Sequence, residues 1–146
     1  VYDRVCRVAV EYQSAGDEVD IVRRRSVDGA DGVPADWTAL VVELVRSTRH
    51  HPDIRVGSSV RGAIDMVSVA ATLAAVRGRR PEDPSVSLDA ALVALSGRVR
   101  LREGCGRSAD DVVRELWEQI FARRSDHGDG DAEGKAGAPT GATTSH

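Results

Sequence analysis

Arg61 stands in the first turn of a helix that Ser58 or Ser59 is placed to cap, and a cation there is at odds with its own helix. The positive end of the helix dipole opposes it by about 0.3–1 kcal/mol. The same end, with its unpaired N–H groups, favours a phosphate. The chemistry this position suits is therefore anion recognition. The plainer alternative is an i, i+4 ion pair with Asp65, worth about 0.3–0.5 kcal/mol. His50 and His51 raise metal binding as a second chemistry. Adjacent residues on a helix, however, point about 100° apart and rarely share one ion. With no further His or Cys cluster to support them, they read as favourable cations at a helix C-terminus. Cys6 and Cys105 lie far apart and form no CxxC or Cys/His pattern, so reduced thiols in a cytosolic protein are expected.

The patterns the sequence lacks narrow the chemistry further. It has no G-x-x-x-x-G-K-[ST] motif, and so no backbone cradle for phosphates. No acidic run follows an apolar strand to offer a Mg²⁺ ligand, and no Ser/His/Asp arrangement stands out. The net charge of −3 argues against a general nucleic-acid binder. Lys135 is the only lysine among 20 basic residues, and with so much Ala, Val, Gly and Asp this fits a GC-rich genome. A single arginine therefore counts only where its position makes an argument. No apolar run approaches the roughly 18–20 residues needed to cross a bilayer, and no signal peptide is present. The 146 residues suffice for one modest domain and a tail.

The elements that must position these residues are mostly helices. Residues 6–12 alternate as a strand, with Cys6, Val8, Val10 and Tyr12 on one side. A lone strand needs hydrogen-bonding partners, so this one is expected to join a sheet from elsewhere. With the start at Val1 and no methionine, that makes a fragment the expectation. Ser14 caps a helix running to about Arg25, with Asp17 and Glu18 in the favourable first turn and Val19 and Val22 buried. Pro34 opens a helix striped by Trp37, Leu40, Val41, Leu44 and Val45, which must end before Pro52. Residues 53–59 read as a connector. The helix from Ser58 or Ser59 to about Arg77 buries Val60, Ile64, Val67, Ala71 and Ala74, and Gly78 closes it. Ser87 is expected to cap a helix carrying Leu88, Leu92 and Leu95. Ser108 caps the last one, with Val113, Leu116, Trp117 and Ile120 buried; Trp37 and Phe121 also read as core. From Ser125 the chain is Gly, Ala, Asp and Thr and is expected to be disordered.

Residues 47–80 resemble the lid of AAA+ ATPases of the MoxR type. In that family a helix ending in "TR-x-HP" precedes a "GaSPRa" turn and an Ala-rich helix ending in "L-x-GR". Here the turn reads Gly57-Ser58-Ser59-Val60-Arg61-Gly62, with Val60 where the family has proline. The N-terminal YDRVCRVAVEYQSAGDE resembles the family's "LDRF … GYPS-x-x-E" passage, with Val5 for phenylalanine and Gln13 for proline. The likeness covers roughly residues 1–123 and weakens after Gly78, where the family's "VTPDDV" turn is replaced by PEDPSVSLDAAL.

The resemblance implies a mainly α fold, a helical bundle over 14–124 preceded over 1–13 by the last strand of an AAA+ α/β core; the tail over 125–146 is expected to be disordered from its composition. It implies that Arg61 is the sensor 2 arginine, with Ser59 beside it at the nucleotide, contacting the terminal phosphates of ATP. It implies that Arg4 is an arginine finger reaching the next subunit's site, a role its planar fork suits better than lysine. The plainer reading of Arg4 is an ion pair with Asp3. Asp65, Arg49 and Arg55 are weaker candidates for the seam between lid and core. ATP and Mg²⁺ belong to the full-length protein, and this chain alone is expected to be inactive. The implied partners are the missing AAA+ core, further copies in a ring of six, and a von Willebrand factor A domain protein, all in the cytoplasm, with client remodelling or maturation as the task. The alternative is a non-enzymatic helical adaptor, which accounts for the missing P-loop without truncation but not for the orphan strand.

Overall fold

The computed structural model describes residues 8–26 and 32–128, with side chains as far as residue 122. Five helices and a two-stranded ribbon follow one another. They are α1 (Ala15–Arg25), α2 (Ala35–Thr48), β1 (Ile54–Val56), α3 (Val60–Arg77), α4 (Pro84–Leu95), β2 (Arg100–Leu101) and α5 (Ala109–Gly128). The expected mainly helical bundle is what forms. No described helix is long and apolar enough to cross a membrane.

Capping fixes most of the boundaries. Ser14 accepts from the Asp17 N–H at 3.1 Å and starts α1. Gly78, at φ 61°, closes α3 in the left-handed conformation that costs glycine least. Ser108 and Asp111 cap α5 reciprocally: the Ser108 Oγ accepts from the Asp111 N–H at 3.1 Å, and the Asp111 carboxylate accepts from the Ser108 N–H at 3.1 Å. That hydrogen bonding from Ser108 holds the Asp111 carboxyl below its ordinary range. α5 runs four residues past the expected end of the bundle, to Gly128. The rest of the expected tail, residues 129–146, lies outside the described residues.

Three expectations are corrected. Ser87 does not cap α4. Asp83 does, accepting from the Ser85 N–H at 3.0 Å, and Pro84 fits the first turn. Ser87 instead lies inside α4, fully buried, and accepts from the Trp117 Nε1–H at 3.0 Å. The connector over 53–59 contains β1, which pairs antiparallel with β2 (Ile54 opposite Leu101, Val56 opposite Arg100). The strand expected over 6–12 begins outside the described residues, and residues 8–13 carry no strand. Val8 and Val10 are 78% and 87% exposed there.

α3 is the central helix, packed against α1, α2 and α4, while α5 closes over α2 and α4. The buried face of α3 differs from the expected one: it comprises Gly62, Ala63, Met66, Val67, Ala70 and Ala74, while Val60, Ile64 and Ala71 are only half-buried. Small residues on this face let neighbouring helices approach closely. A Cβ on Gly62 would stand 2.8 Å from Leu95 Cδ2. On the far side of the bundle Trp117 stacks on Phe121, with ring centroids 5.2 Å apart, and Phe121 leans against Trp37 at 6.5 Å.

Candidate functional site

The turn Gly57–Gly62 brings the end of β1 to the start of α3, and the end of α2 grips it. The Thr48 hydroxyl donates to the Val45 carbonyl at 2.6 Å and accepts from the Ser58 N–H at 2.9 Å. Arg49 Nε donates to the Ser58 carbonyl at 2.8 Å. Gly57 lies against the α2 backbone: a Cβ there would meet Arg49 Cα, Arg49 N and the Thr48 carbonyl carbon, each at 2.7 Å. Only glycine permits that approach. A Cβ on Gly62 would fall 2.1 Å from the Ser58 hydroxyl oxygen. Backbone therefore fixes glycine at position 57, whereas at Gly62 the crowding comes from the Ser58 and Leu95 side chains.

Behind the turn sits a buried ionic cluster. Glu18, whose side chain is 1% exposed, accepts from Arg49 Nη1 at 2.8 Å and from Arg46 Nη1 at 3.2 Å. Arg46 Nη1 also donates to the Gln13 carbonyl at 3.0 Å, and the Arg49 guanidinium lies 4.0 Å from the Tyr12 ring centroid. The Arg49 side chain is 7% exposed, and its Nη2 is buried without a hydrogen-bond partner among the described residues. Buried charges persist when paired and hydrogen-bonded in this way. Glu18 reads from sequence only as a favourable first-turn acid. The missed signal is its i, i+4 spacing from Val22, which places it on the buried face of α1.

Arg61 lies on the opposite, outward side of the turn. It is exposed, and among the described residues it has no ion-pair or hydrogen-bond partner. The Arg61–Asp65 pair considered from sequence does not form. Asp65 pairs instead with Arg98, from the segment after α4. Ser59 occupies the N-cap of α3 with its side chain making no cap hydrogen bond, and no acidic residue lies in the first turn. The helix thus presents its positive end, uncapped by a side chain, beside an unpaired guanidinium, an arrangement chemically suited to an anion.

The weaker seam candidates are not brought together. Arg49 is internal, Arg55 is exposed on β1, and Asp65 is held by Arg98. Arg4 and Cys6 lie outside the described residues, and Cys105 is a free, half-buried thiol. His51 is part of a structural cluster: its Nδ1 accepts from the Asp53 N–H at 3.1 Å, and its Nε2 lies 3.7 Å from Glu115 Oε1. Arg107 joins the same cluster, bonding Asp53 at 3.0 Å and also Glu115. The Arg107 guanidinium holds the Glu115 carboxyl below its ordinary range, with a smaller contribution from His51. Among the described residues no group of three or more His, Cys, Asp or Glu side chains could hold a metal ion.

No curated protein and no solved structure matches the chain. Residues 46–116, however, match the AAA lid domain family. That span begins at Arg46 in the ionic cluster, includes the Gly57–Gly62 turn, and ends at Leu116 in the middle of α5. The match supports an AAA+ ATPase lid domain over those residues.

Proposed function

We propose that the chain is the lid end of an AAA+ ATPase of the MoxR type, and that Arg61 with the Ser59–Gly62 backbone contacts the terminal phosphates of ATP. The observation that carries this reading is the unpaired Arg61 at the uncapped start of α3, within a turn whose glycines and buried anchors leave it little freedom. Bound ATP supplies the phosphoryl group whose hydrolysis drives the assembly. The chain's own residues bind and orient. Arg61 presents a fork matched to phosphate oxygens, and the first-turn N–H groups of α3 add donors along the same direction. Mg²⁺ and the phosphate cradle belong in this reading to a P-loop half of the protein. Because the lid is a packed unit, contact between Arg61 and nucleotide biases its angle and so reshapes the subunit interface.

The remaining roles follow from the resemblance. Arg4, outside the described residues, acts as an arginine finger toward a neighbouring subunit. The assembly is a cytoplasmic ring of six that remodels or matures client proteins, with a von Willebrand factor A domain protein as a partner.

The coding DNA upstream of Val1 tests the assembly. An in-frame P-loop within about 200 codons, the size of an AAA+ core, is expected. A stop codon followed by a start at Val1 would refute the enzymatic reading and leave the adaptor.

A further inference from the structure

We propose that Arg49 is a positioning residue for Arg61, oriented by Glu18, so that the buried ionic cluster sets the aim of the anion-binding turn. The inference rests on the reading of Arg61 above and adds how that residue is held.

The geometry supports it in three ways. Arg49 divides its donors between two directions, Nε to the Ser58 carbonyl at 2.8 Å and Nη1 to Glu18 Oε1 at 2.8 Å. A lysine ammonium on a flexible stem does not reproduce that fixed fork. Next, the turn is blocked on its inner side, where Gly57 already lies against the Thr48–Arg49 backbone. The Arg49–Ser58 bond restrains it from moving outward, and the Ser58 N–H bond to Thr48 fixes its other edge. Finally, Ser58 directly precedes the α3 N-cap, and the Ser59 carbonyl accepts from the Gly62 N–H at 2.9 Å. A shift at Ser58 therefore passes through one residue to the turn of helix that carries Arg61.

Glu18 holds the guanidinium from α1, and Arg46 shares the carboxylate. The Tyr12 ring covers Arg49, and Arg46 takes the Gln13 carbonyl. The Glu18 carboxylate thus bonds two arginines from the end of α2, and these in turn reach the residues before α1 and the Ser58 carbonyl ahead of α3. Arg49 touches no anion in this scheme; it acts through Ser58.

The test uses the full chain and inorganic tripolyphosphate, with amide shifts of Ser59–Gly62 read by NMR and thermal unfolding recorded in parallel. Arg61→Gln should weaken tripolyphosphate binding at least tenfold while leaving measurable residual shifts from the first-turn N–H groups of α3. Arg49→Lys and Glu18→Gln should each weaken tripolyphosphate binding about tenfold, the size of effect expected when an orienting partner is lost. Neither should weaken it further in the Arg61→Gln background. Equal weakening in both backgrounds, or none in either, overturns the positioning role while leaving Arg61 in place. Unchanged binding in Arg61→Gln alone overturns the anion site itself, a separate failure. Should either cluster variant unfold, the wild-type chain still decides: the Arg49 Nε–H should exchange slowly with solvent, and fast exchange overturns the inference.

Discussion

Arg49 and Arg61 stand on two sides of one turn and differ in nearly every physical respect. The Arg49 side chain is 7% exposed, shares a buried carboxylate with Arg46, and donates to the turn's own backbone. Arg61 is exposed, at the positive end of α3, with no partner among the described residues. In an arginine-rich chain, residue type says little about role. What separates the two is whether the charge is consumed inside the fold or left available outside it. A buried, paired arginine makes the turn rigid, and an unpaired one at a helix start has electrostatic reason only toward something else.

The comparison breaks most visibly at Glu18. Glu18→Ala leaves two guanidinium groups around an empty place, and loss of one partner from a buried ion pair costs about 3–5 kcal/mol. Chemical denaturation should show that loss, and a change below about 1 kcal/mol would mean the cluster is solvated rather than buried. Gly57→Ala comes next. Its Cβ would meet backbone atoms at 2.7 Å, so the end of α2 or the turn must shift. Overpacking of this kind costs about 1–3 kcal/mol, and hydrogen exchange at the Ser58 amide should accelerate.

A smaller effect is expected in acid. Hydrogen bonds from Ser85 and Arg79 hold Asp83 at a pKa of about 2 against an ordinary 3.8, and Arg107 lowers Glu115. In that window the unfolded chain binds more protons than the folded one. The stabilisation is complete above the ordinary carboxylate range and is lost as pH falls toward the folded values. Asp83→Asn and Glu115→Gln should each flatten the decline of stability with acid, and an unchanged slope would contradict the assignment. The smallest effect is the most diagnostic. Arg61→Ala should change stability by no more than about 0.5 kcal/mol, as for surface positions without partners. A loss comparable to that of Glu18→Ala would make Arg61 structural and erase the contrast.

Local rules made much of this legible. The caps at Ser14, Gly78 and Ser108, and the apolar stripe from Trp37 to Val45, follow from turn chemistry and helical periodicity, and α1, α2, α3 and α5 form close to where they require. α4 begins earlier than Ser87 because Asp83 and Pro84 together supply a stronger start. The ribbon escaped because strands of three and two residues carry no readable alternation. For the site, the glycine-flanked turn and Arg61 were visible, while its anchors were not. Asp65 with Arg98 and Glu18 with Arg49 are pairings between residues distant in sequence, and no local pattern encodes them.

The β1–β2 ribbon has a consequence beyond its size. Ile54 pairs with Leu101, so the chain leaves for α3 and returns from α4 at nearly the same point. The α3–α4 pair is a hairpin with a closed base, held within the bundle along its length and reaching solvent as a fingertip at the exposed Gly78–Arg80 corner. Residues added or exchanged at that tip would lengthen or re-dress the finger without moving its base, the ionic cluster or the turn that carries Arg61. A family built on this plan could diversify what its fingertip meets while leaving its anion-facing root unaltered.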